Sequence, residues 1–213
     1  MTLYNSRCYI LHKRPFNDRS ALLDLFSPIA GTTRVVARIT KQRKTQSLQQ
    51  LFTPLVCAWT MKNDLGALKM IEPGNGFHAL TPKTLFCGFY INELILKLIP
   101  AHESATELFN AYEHCLGQLN QNTQAALRTF EMILLEHIGQ DLPLAPSNGC
   151  FDFTQQGWEP STRDESFSDD LIQRIKQCQW DDDRVLLATK QLNRVRISIA
   201  LEHKELKSRT IFK

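Results

Sequence analysis

Two short apolar runs decide the fold: ALLDLFS at residues 21–27 and RVVARI at residues 34–39. Both have the length of a strand, and the second is rich in β-branched residues, which pack well on a pleated sheet. Residues two apart on a strand share a face, so Arg34, Val36 and Arg38 are expected to point the same way. The segment therefore predicts two strands separated by a turn at Ser27, Pro28 and Gly31, with cations along one side of the second strand.

Three further strands are predicted around these runs. The first contains the apolar residues 9–11 and is expected to end at Pro15. The other two, TPLVCAWTM at 53–61 and GALKMIE at 66–72, form a hairpin pair joined by a polar turn. Because a barrel leaves no strand edge exposed, five short strands in about seventy residues favour a closed or partly closed barrel.

From residue 81 the apolar residues recur with the period of a helix. Thr81 is a suitable N-cap with Pro82 just inside, Ser104 with Glu107 fits a capping box, and Gly139 fits the residue after a helix end. The spacing predicts helices over residues 84–99, 104–119, 123–138, 168–177 and 184–203.

The fold class is therefore α+β, with a β-domain at residues 1–80 and a helical domain at residues 81–213. Residues 141–167 are rich in Pro, Gly, Asn and Ser, so they are expected to form an irregular loop. The 213 residues are 43% hydrophobic and 22% charged, as in soluble globular proteins. No apolar run is long enough for a membrane span and no secretory signal is evident, so a cytoplasmic protein is expected.

Charge is divided unevenly along the chain. Residues 1–80 carry eleven Lys and Arg against four Asp and Glu, residues 81–150 carry three against seven, and residues 184–213 carry eight against two. A localised positive field suits a polyanion, and the alternative is a solvated surface. The predicted nucleic-acid site consists of Arg34, Arg38, Lys41, Arg43 and Lys44, with Lys13 and Arg14 as helpers.

Four aromatic residues in the β-domain are available for stacking on bases: Tyr9, Phe16, Phe52 and Trp59. For each of them a place in the core is favoured over a stacking role, because a small barrel needs large side chains inside.

The sequence contains no motif for nucleotide phosphates, zinc-dependent hydrolysis or a serine nucleophile. The six cysteines are dispersed, with no CxxC pair. Asp181, Asp182 and Asp183 could suit a hard cation, but they precede a helix, and the capping interpretation is favoured. The protein is therefore expected to be no enzyme and to use no metal or cofactor.

A set of short motifs occurs in a fixed order along the chain. The motifs are HKRPF at 12–16, S-x-LL-x-LFS at 20–27, VVAR at 35–38, FTPL at 52–55, YINEL at 90–94, LF at 108–109 with Tyr112, LR-x-FE-x-x-LL-x-x-IG at 127–139, and LKSR at 206–209. This ordered set, which spans nearly the whole chain except residues 141–180, resembles the RecO family of bacterial recombinational-repair mediators.

The resemblance implies an N-terminal oligonucleotide/oligosaccharide-binding (OB) fold and a helical C-terminal domain. It implies binding of single- and double-stranded DNA, annealing of complementary strands and, with RecR, loading of RecA onto DNA covered by single-strand-binding protein. The implied location is the cytoplasm, in association with the nucleoid. Some members carry a four-cysteine zinc module after the third helix. Only Cys150 remains in that region here, so no zinc is expected.

Two assignments stay open. The resemblance assigns Arg128 to a grip on the C-terminal tail of single-strand-binding protein, whereas an Arg in an acidic domain also suits an intradomain salt bridge. Lys207 and Arg209 either extend the DNA surface, together with Arg194, Arg196 and Lys204, or dock the chain end within the fold.

Two rival functions also remain at this point. One is a protein-interaction adaptor whose barrel binds no DNA. The other is a metal-dependent nuclease, for which the barrel offers only carboxylates that are well separated in sequence, namely Asp18, Asp24, Asp64 and Glu72.

Overall fold

The computed structural model describes residues 2–38, 49–76, 79–142, 144–145, 148–163, 166–202 and 204–210. Contacts group the chain into two units, residues 1–120 with 206–213, and residues 121–205. The predicted domain boundary at residue 80 separates the strands from the helices, whereas the two units are defined by contacts. The predicted boundary therefore stays a prediction. Among the described helices, none has the length and hydropathy needed to cross a membrane.

Five strands close a barrel in the first unit: β1 (Thr2–Asn17), β2 (Ser20–Ser27), β3 (Gly31–Arg38), β4 (Leu55–Lys62) and β5 (Leu65–Pro73). The order around the barrel is β1-β2-β3-β5-β4. The β3–β5 pair is parallel and the other pairs are antiparallel. The predicted five-stranded barrel and the β4–β5 hairpin are confirmed.

Alternation along the strands determines which side chains fill the barrel. On β4, Leu55, Cys57, Trp59 and Met61 are buried, while the residues between them are partly exposed. Burial of an aliphatic side chain contributes about 1.5–3 kcal/mol to stability. A slip of one residue would expose this whole set, so the pattern fixes the register.

β1 continues beyond Pro15, and the prediction that it ends there is wrong. Pro15 pairs with Ala21 of β2, and the register then shifts before Asn17 pairs with Ser20. Proline has no N–H to donate to a ladder, so sheets tolerate it beside a bulge. The N-terminal half of β1 pairs with β4 and closes the barrel.

Two helices of the first unit follow the barrel, α1 (Pro82–Leu98) and α2 (Thr106–Gln118). Thr81 caps α1 as predicted, because its hydroxyl accepts a hydrogen bond from the backbone N–H of Thr84 at 3.3 Å.

The predicted capping box of α2 is wrong. Ala105 occupies the N-cap position without a side-chain hydrogen bond. The Ser104 hydroxyl instead donates to the carbonyl oxygen of Pro28 at 3.0 Å, in the turn between β2 and β3. A long-range hydrogen bond to Pro28 thus replaces the helix cap that the local sequence motif predicts for Ser104.

An aromatic cluster packs α2 against the outer surface of the barrel. Tyr9 of β1 and Phe26 of β2 meet Phe109 and Tyr112 of α2, with ring centroids 5.1–5.8 Å apart. The Asn92 amide of α1 completes the contact: it donates to a backbone carbonyl of β1 at 2.9 Å and accepts from the Tyr112 hydroxyl at 2.7 Å. The buried polar groups in this cluster are therefore hydrogen-bonded.

The second unit contains α3 (Thr123–His137), α4 (Asp169–Lys176) and α5 (Asp183–Ala200). Two predicted helix ends are confirmed. Gly139 follows α3 with a φ of 71°, and the carboxylate of Asp182 caps α5 by accepting from the Arg184 N–H at 2.7 Å. The capping interpretation of the Asp181–Asp183 run is therefore confirmed. Ser168, the predicted first residue of α4, is its N-cap and accepts from the Leu171 N–H at 3.3 Å.

The expected loop over residues 141–167 contains secondary structure. A three-stranded sheet forms in the order β7-β6-β8, from β6 (Cys150–Thr154), β7 (Gly157–Pro160) and β8 (Phe167–Ser168). The ring of Trp158 packs on those of Phe153 and Phe167, with centroids 4.8 and 5.5 Å apart. These contacts stabilise strands that are too short and too rich in turn residues to be recognised from periodicity.

A short last helix, α6 (Lys207–Thr210), returns to the first unit. The carboxylate of Glu93 on α1 accepts the backbone N–H groups of Lys207 and Ser208 at 2.9 and 2.8 Å, and it pairs with Lys97 at 3.0 Å. Burial opposes ionisation of Glu93, but the hydrogen bonds from Ser208, Lys207 and Lys97 outweigh it and lower its pKa to about 2.

We predict that Glu93→Gln lowers the melting temperature at pH 7, and that the difference from wild type shrinks below about pH 5. The Glu93 pKa lies below its ordinary value of 4.5, so its stabilisation is complete above that value and disappears as the pH falls towards 2. Thermal unfolding between pH 7 and pH 3 measures the difference. Glu72→Gln, at an exposed position of β5, is the control. A pH-independent gap would contradict the predicted role of the carboxylate.

Candidate nucleic-acid interface

Part of the barrel's outer surface brings together cations from β1 and β3. Val35 and Ala37 are buried in the barrel core, whereas Arg34 and Arg38 are exposed. The prediction that the two arginines share a face with Val36 is confirmed. We define the basic face by five accessible or partly accessible residues of these strands, His12, Arg14, Arg34, Val36 and Arg38.

A buried carboxylate lies in the middle of the basic face. Asp24 of β2 pairs in register with His12 on one side and Arg34 on the other. Its oxygens accept from Arg34 Nε at 2.7 Å and lie 3.5 Å from His12 Nδ1. Asp24 is 7% exposed, whereas the Arg34 side chain is 49% exposed. Asp24 therefore orients Arg34 and offsets part of its charge, while half of the Arg34 side chain remains accessible.

A groove next to the basic face adds a cation that sequence reasoning missed. It has a volume of about 530 Å³, and Arg38, Lys69, Val36 and Met70 are among its lining residues. This volume falls in the range of small-molecule sites. Lys69 reaches the groove because β3 and β5 pair in parallel, with Val36 opposite Ala67. Such a long-range pairing leaves no local sequence signal.

The β1–β2 hairpin carries the two predicted helpers. Lys13 is exposed and its ammonium donates to the carbonyl oxygen of Gln49 at 3.4 Å. Arg14 is exposed, pairs with Leu22 of β2, and lies two residues after His12 on β1. The structure thus places both cations at the end of the barrel that carries the basic face.

Three of the four aromatic residues are buried, as the sequence favoured, namely Tyr9, Phe52 and Trp59. Trp59 lies in the barrel core, whereas Tyr9 packs against α2 and Phe52 against Phe89 of α1. For Phe16 the interpretation is wrong, because 54% of this residue is exposed near the end of the β1–β2 hairpin. The register shift between Pro15 and Asn17 places Phe16 outside the regular pairing, so alternation does not bury it.

Several predicted site residues lie outside the described residues: Lys41, Arg43, Lys44 and the side chain of Arg209. Arg194 and Lys204 are exposed, whereas Arg196 is buried and donates to Asn193 at 3.1 Å. Burial lowers the pKa of Arg196 to about 10, against an opposing effect of Asp141. Arg196 therefore belongs to the interior of the second unit. For Lys207, the backbone bond to Glu93 matches the docking alternative.

Arg128 is 4% exposed in the second unit. Its Nη2 atom donates to Glu131 at 3.0 Å, and the other oxygen of Glu131 accepts from the Asn193 amide at 3.2 Å. This is the intradomain salt bridge that the sequence left open as the alternative. A grip of Arg128 on a peptide tail stays a prediction.

The candidate nuclease carboxylates form no metal-binding group with one another. Asp24 pairs with Arg34, and within the described residues no three His, Cys, Asp or Glu side chains come together as potential metal ligands. The six cysteines, all of them among the described residues, form no disulfide, and Cys8, Cys57 and Cys115 are buried, as dispersed structural cysteines are expected to be.

The strand order, the closed barrel and the helices that follow it define an OB-fold protein with a helical C-terminal part. Family models match along most of the chain: "Recombination protein O N terminal" over residues 1–77 and "Recombination protein O C terminal" over residues 80–158. The chain belongs to the recombination protein O, or RecO, family.

Relatives named DNA repair protein RecO agree with this membership. The protein from Idiomarina loihiensis is 31% identical over 97% of both chains, and that from Mannheimia succiniciproducens is 33% identical over 95% of this chain and 96% of its own. The protein from Nitrosococcus oceani is 40% identical over 140 residues, which cover 64% of this chain and 57% of that protein. Membership supports a role in DNA repair and recombination.

We predict that Glu131→Gln destabilises the protein by about 3–5 kcal/mol, because it leaves the Arg128 guanidinium buried without its counter-ion. The double variant Arg128→Met with Glu131→Leu should lie closer to wild type, since it removes both charges and keeps the volume. Urea unfolding measures both. Equal losses in the two variants would show that packing, rather than charge pairing, determines stability at this position.

Proposed function

We propose that this protein is a non-enzymatic DNA repair and recombination mediator that binds single- and double-stranded DNA on the basic face. The observation that carries the proposal is the presence of Arg14, Arg34 and Arg38 on one side of an OB-fold barrel, next to Lys69 in the adjoining groove. OB-fold proteins commonly bind oligonucleotides across such a face.

Strand annealing follows from the same electrostatics without a catalytic group. Two complementary strands repel each other through their phosphates, and a cationic surface that binds both lowers this repulsion. Asp24 limits the net charge of the basic face, so binding should be reversible enough to release a duplex. The predicted cations Lys41, Arg43 and Lys44 would add to the same field.

The proposed partners are RecR, single-strand-binding protein and, functionally, RecA, and the proposed location is the cytoplasm, in association with the nucleoid. Family membership supports this part of the proposal. The direct role of Arg128 in binding the tail of single-strand-binding protein is less favoured, because a peptide carboxylate would have to displace Glu131 from a buried pair. A tail site would then use accessible cations of the helical part.

We predict that the double reversal Arg34→Glu with Arg38→Glu weakens DNA binding by more than about tenfold and lowers the salt slope by about 2, roughly one for each lost phosphate contact. Fluorescence anisotropy with a labelled single strand at several salt concentrations measures both quantities. The matched control is Arg184→Glu with Lys190→Glu, which reverses two exposed cations of α5 in the second unit.

An unchanged salt slope in the double reversal would exclude the basic face as the DNA site. An equal loss in the control would show that net charge, rather than this face, determines affinity. If wild type binds no DNA, the alternative of a protein-interaction adaptor replaces the proposal.

A further inference from the structure

The β1–β2 hairpin carries an exposed aromatic residue, Phe16, which has no role in the proposed contacts with phosphate. Pro15 pairs with Ala21 and Asn17 with Ser20, so Phe16 is the extra residue of a bulge. Bulges re-aim side chains and occur often next to functional sites. Phe16 is 54% exposed, although its ring is among the largest apolar side chains in the barrel.

The backbone on both sides of Phe16 is restrained. Pro15 restricts φ directly before it. The carboxamide oxygen of Asn17 accepts from the Arg19 backbone N–H at 3.0 Å and from the Ser20 hydroxyl at 2.6 Å. A ring on such a rigid turn loses little conformational entropy on binding, which favours recognition.

Single exposed aromatic residues are common, so the charges around Phe16 decide its interpretation. Arg14 and Arg19 flank it in sequence and are exposed, and Asp18 is the one carboxylate in this turn. Ser20 pairs with Asn17 on one side and with Arg38 on the other, so Arg38 lies two strands, or about 10 Å, from the residue that follows Phe16. By sequence and strand register, Phe16 thus lies near exposed cations at the end of the basic face, a setting that suits a polyanion with flat, apolar faces.

We propose that Phe16 stacks on an unpaired base of single-stranded DNA bound to the basic face, and that this contact gives single strands an advantage over duplex. The inference rests on the proposed function. In a duplex both faces of each base are covered by its neighbours, so the ring gains its contact only where bases are unstacked. Phosphates bind the cations in both forms of DNA.

The test measures anisotropy with three labelled ligands: a single strand, the same strand with abasic sites, and a duplex. Stacking on one base is worth about 1–3 kcal/mol, so Phe16→Ala should weaken binding of the normal strand by about 5-fold to about 150-fold. Binding of the abasic strand and of the duplex should change by less than about twofold. Phe16→Tyr should restore the wild-type affinity, because it keeps the ring.

Leu3→Ala is the matched control, since Leu3 is also exposed and apolar but lies near the other end of β1. It should leave all three affinities unchanged. If Phe16→Ala weakens the abasic strand as much as the normal strand, or has no effect on either, the stacking role is wrong while the proposed function stands. If wild type binds none of the ligands, the proposed function itself fails.

Discussion

The arrangement of the first unit depends on the packing of two barrel rings, Tyr9 and Phe26, against Phe109 and Tyr112 of α2. These residues lie on the outer surface of β1 and β2, where a free barrel would expose them to water. Their burial covers one end of that surface, and Asn92 forms hydrogen bonds with the Tyr112 hydroxyl and a β1 carbonyl enclosed there. The next outward-facing pair along the same strands, His12 and Asp24, begins the basic face. The helices therefore determine which part of the barrel remains available to a ligand.

The accessible basic face combines positive charges with one negative charge that partly offsets them. Arg34 and Arg38 present their charge on β3, but Asp24 neutralises part of the charge of Arg34 and holds it in a defined orientation. Under the proposed function, a surface of this kind would bind phosphate reversibly, as a protein that brings strands together and then releases them requires. The second unit shows the opposite use of charge, because Arg128 and Arg196 lie in its interior and bind to its own acceptors.

Local patterns predicted the elements that local chemistry determines. Alternation placed Arg34, Val36 and Arg38 on one face of β3, and short-range helix-end signals identified Thr81, Gly139 and the Asp181–Asp183 run. Contacts between distant residues were beyond this reasoning. The Pro28 carbonyl removes Ser104 from its capping box, and the parallel β3–β5 pairing brings Lys69 to Arg38.

The remaining differences have the same origin. Strands β6–β8 are stabilised by rings from three segments that are individually rich in turn residues. Asp24 is a single charge within an apolar run, which marks it as unusual, but its partners depend on the register of two hairpins. Phe16 is exposed because of one extra residue in β1 directly after Pro15; a proline indicates an interrupted ladder but does not indicate which way the next side chain faces.

The most direct measurement of the central claim is hydrogen–deuterium exchange of the full chain, with and without a saturating single-stranded oligonucleotide. If DNA binds to the basic face, the oligonucleotide should slow exchange in peptides that cover residues 12–20 and 31–38. Exchange in peptides from α4 and α5 should change little. Protection confined to residues 169–200 would contradict the account and would move the DNA site to the helical part of the protein.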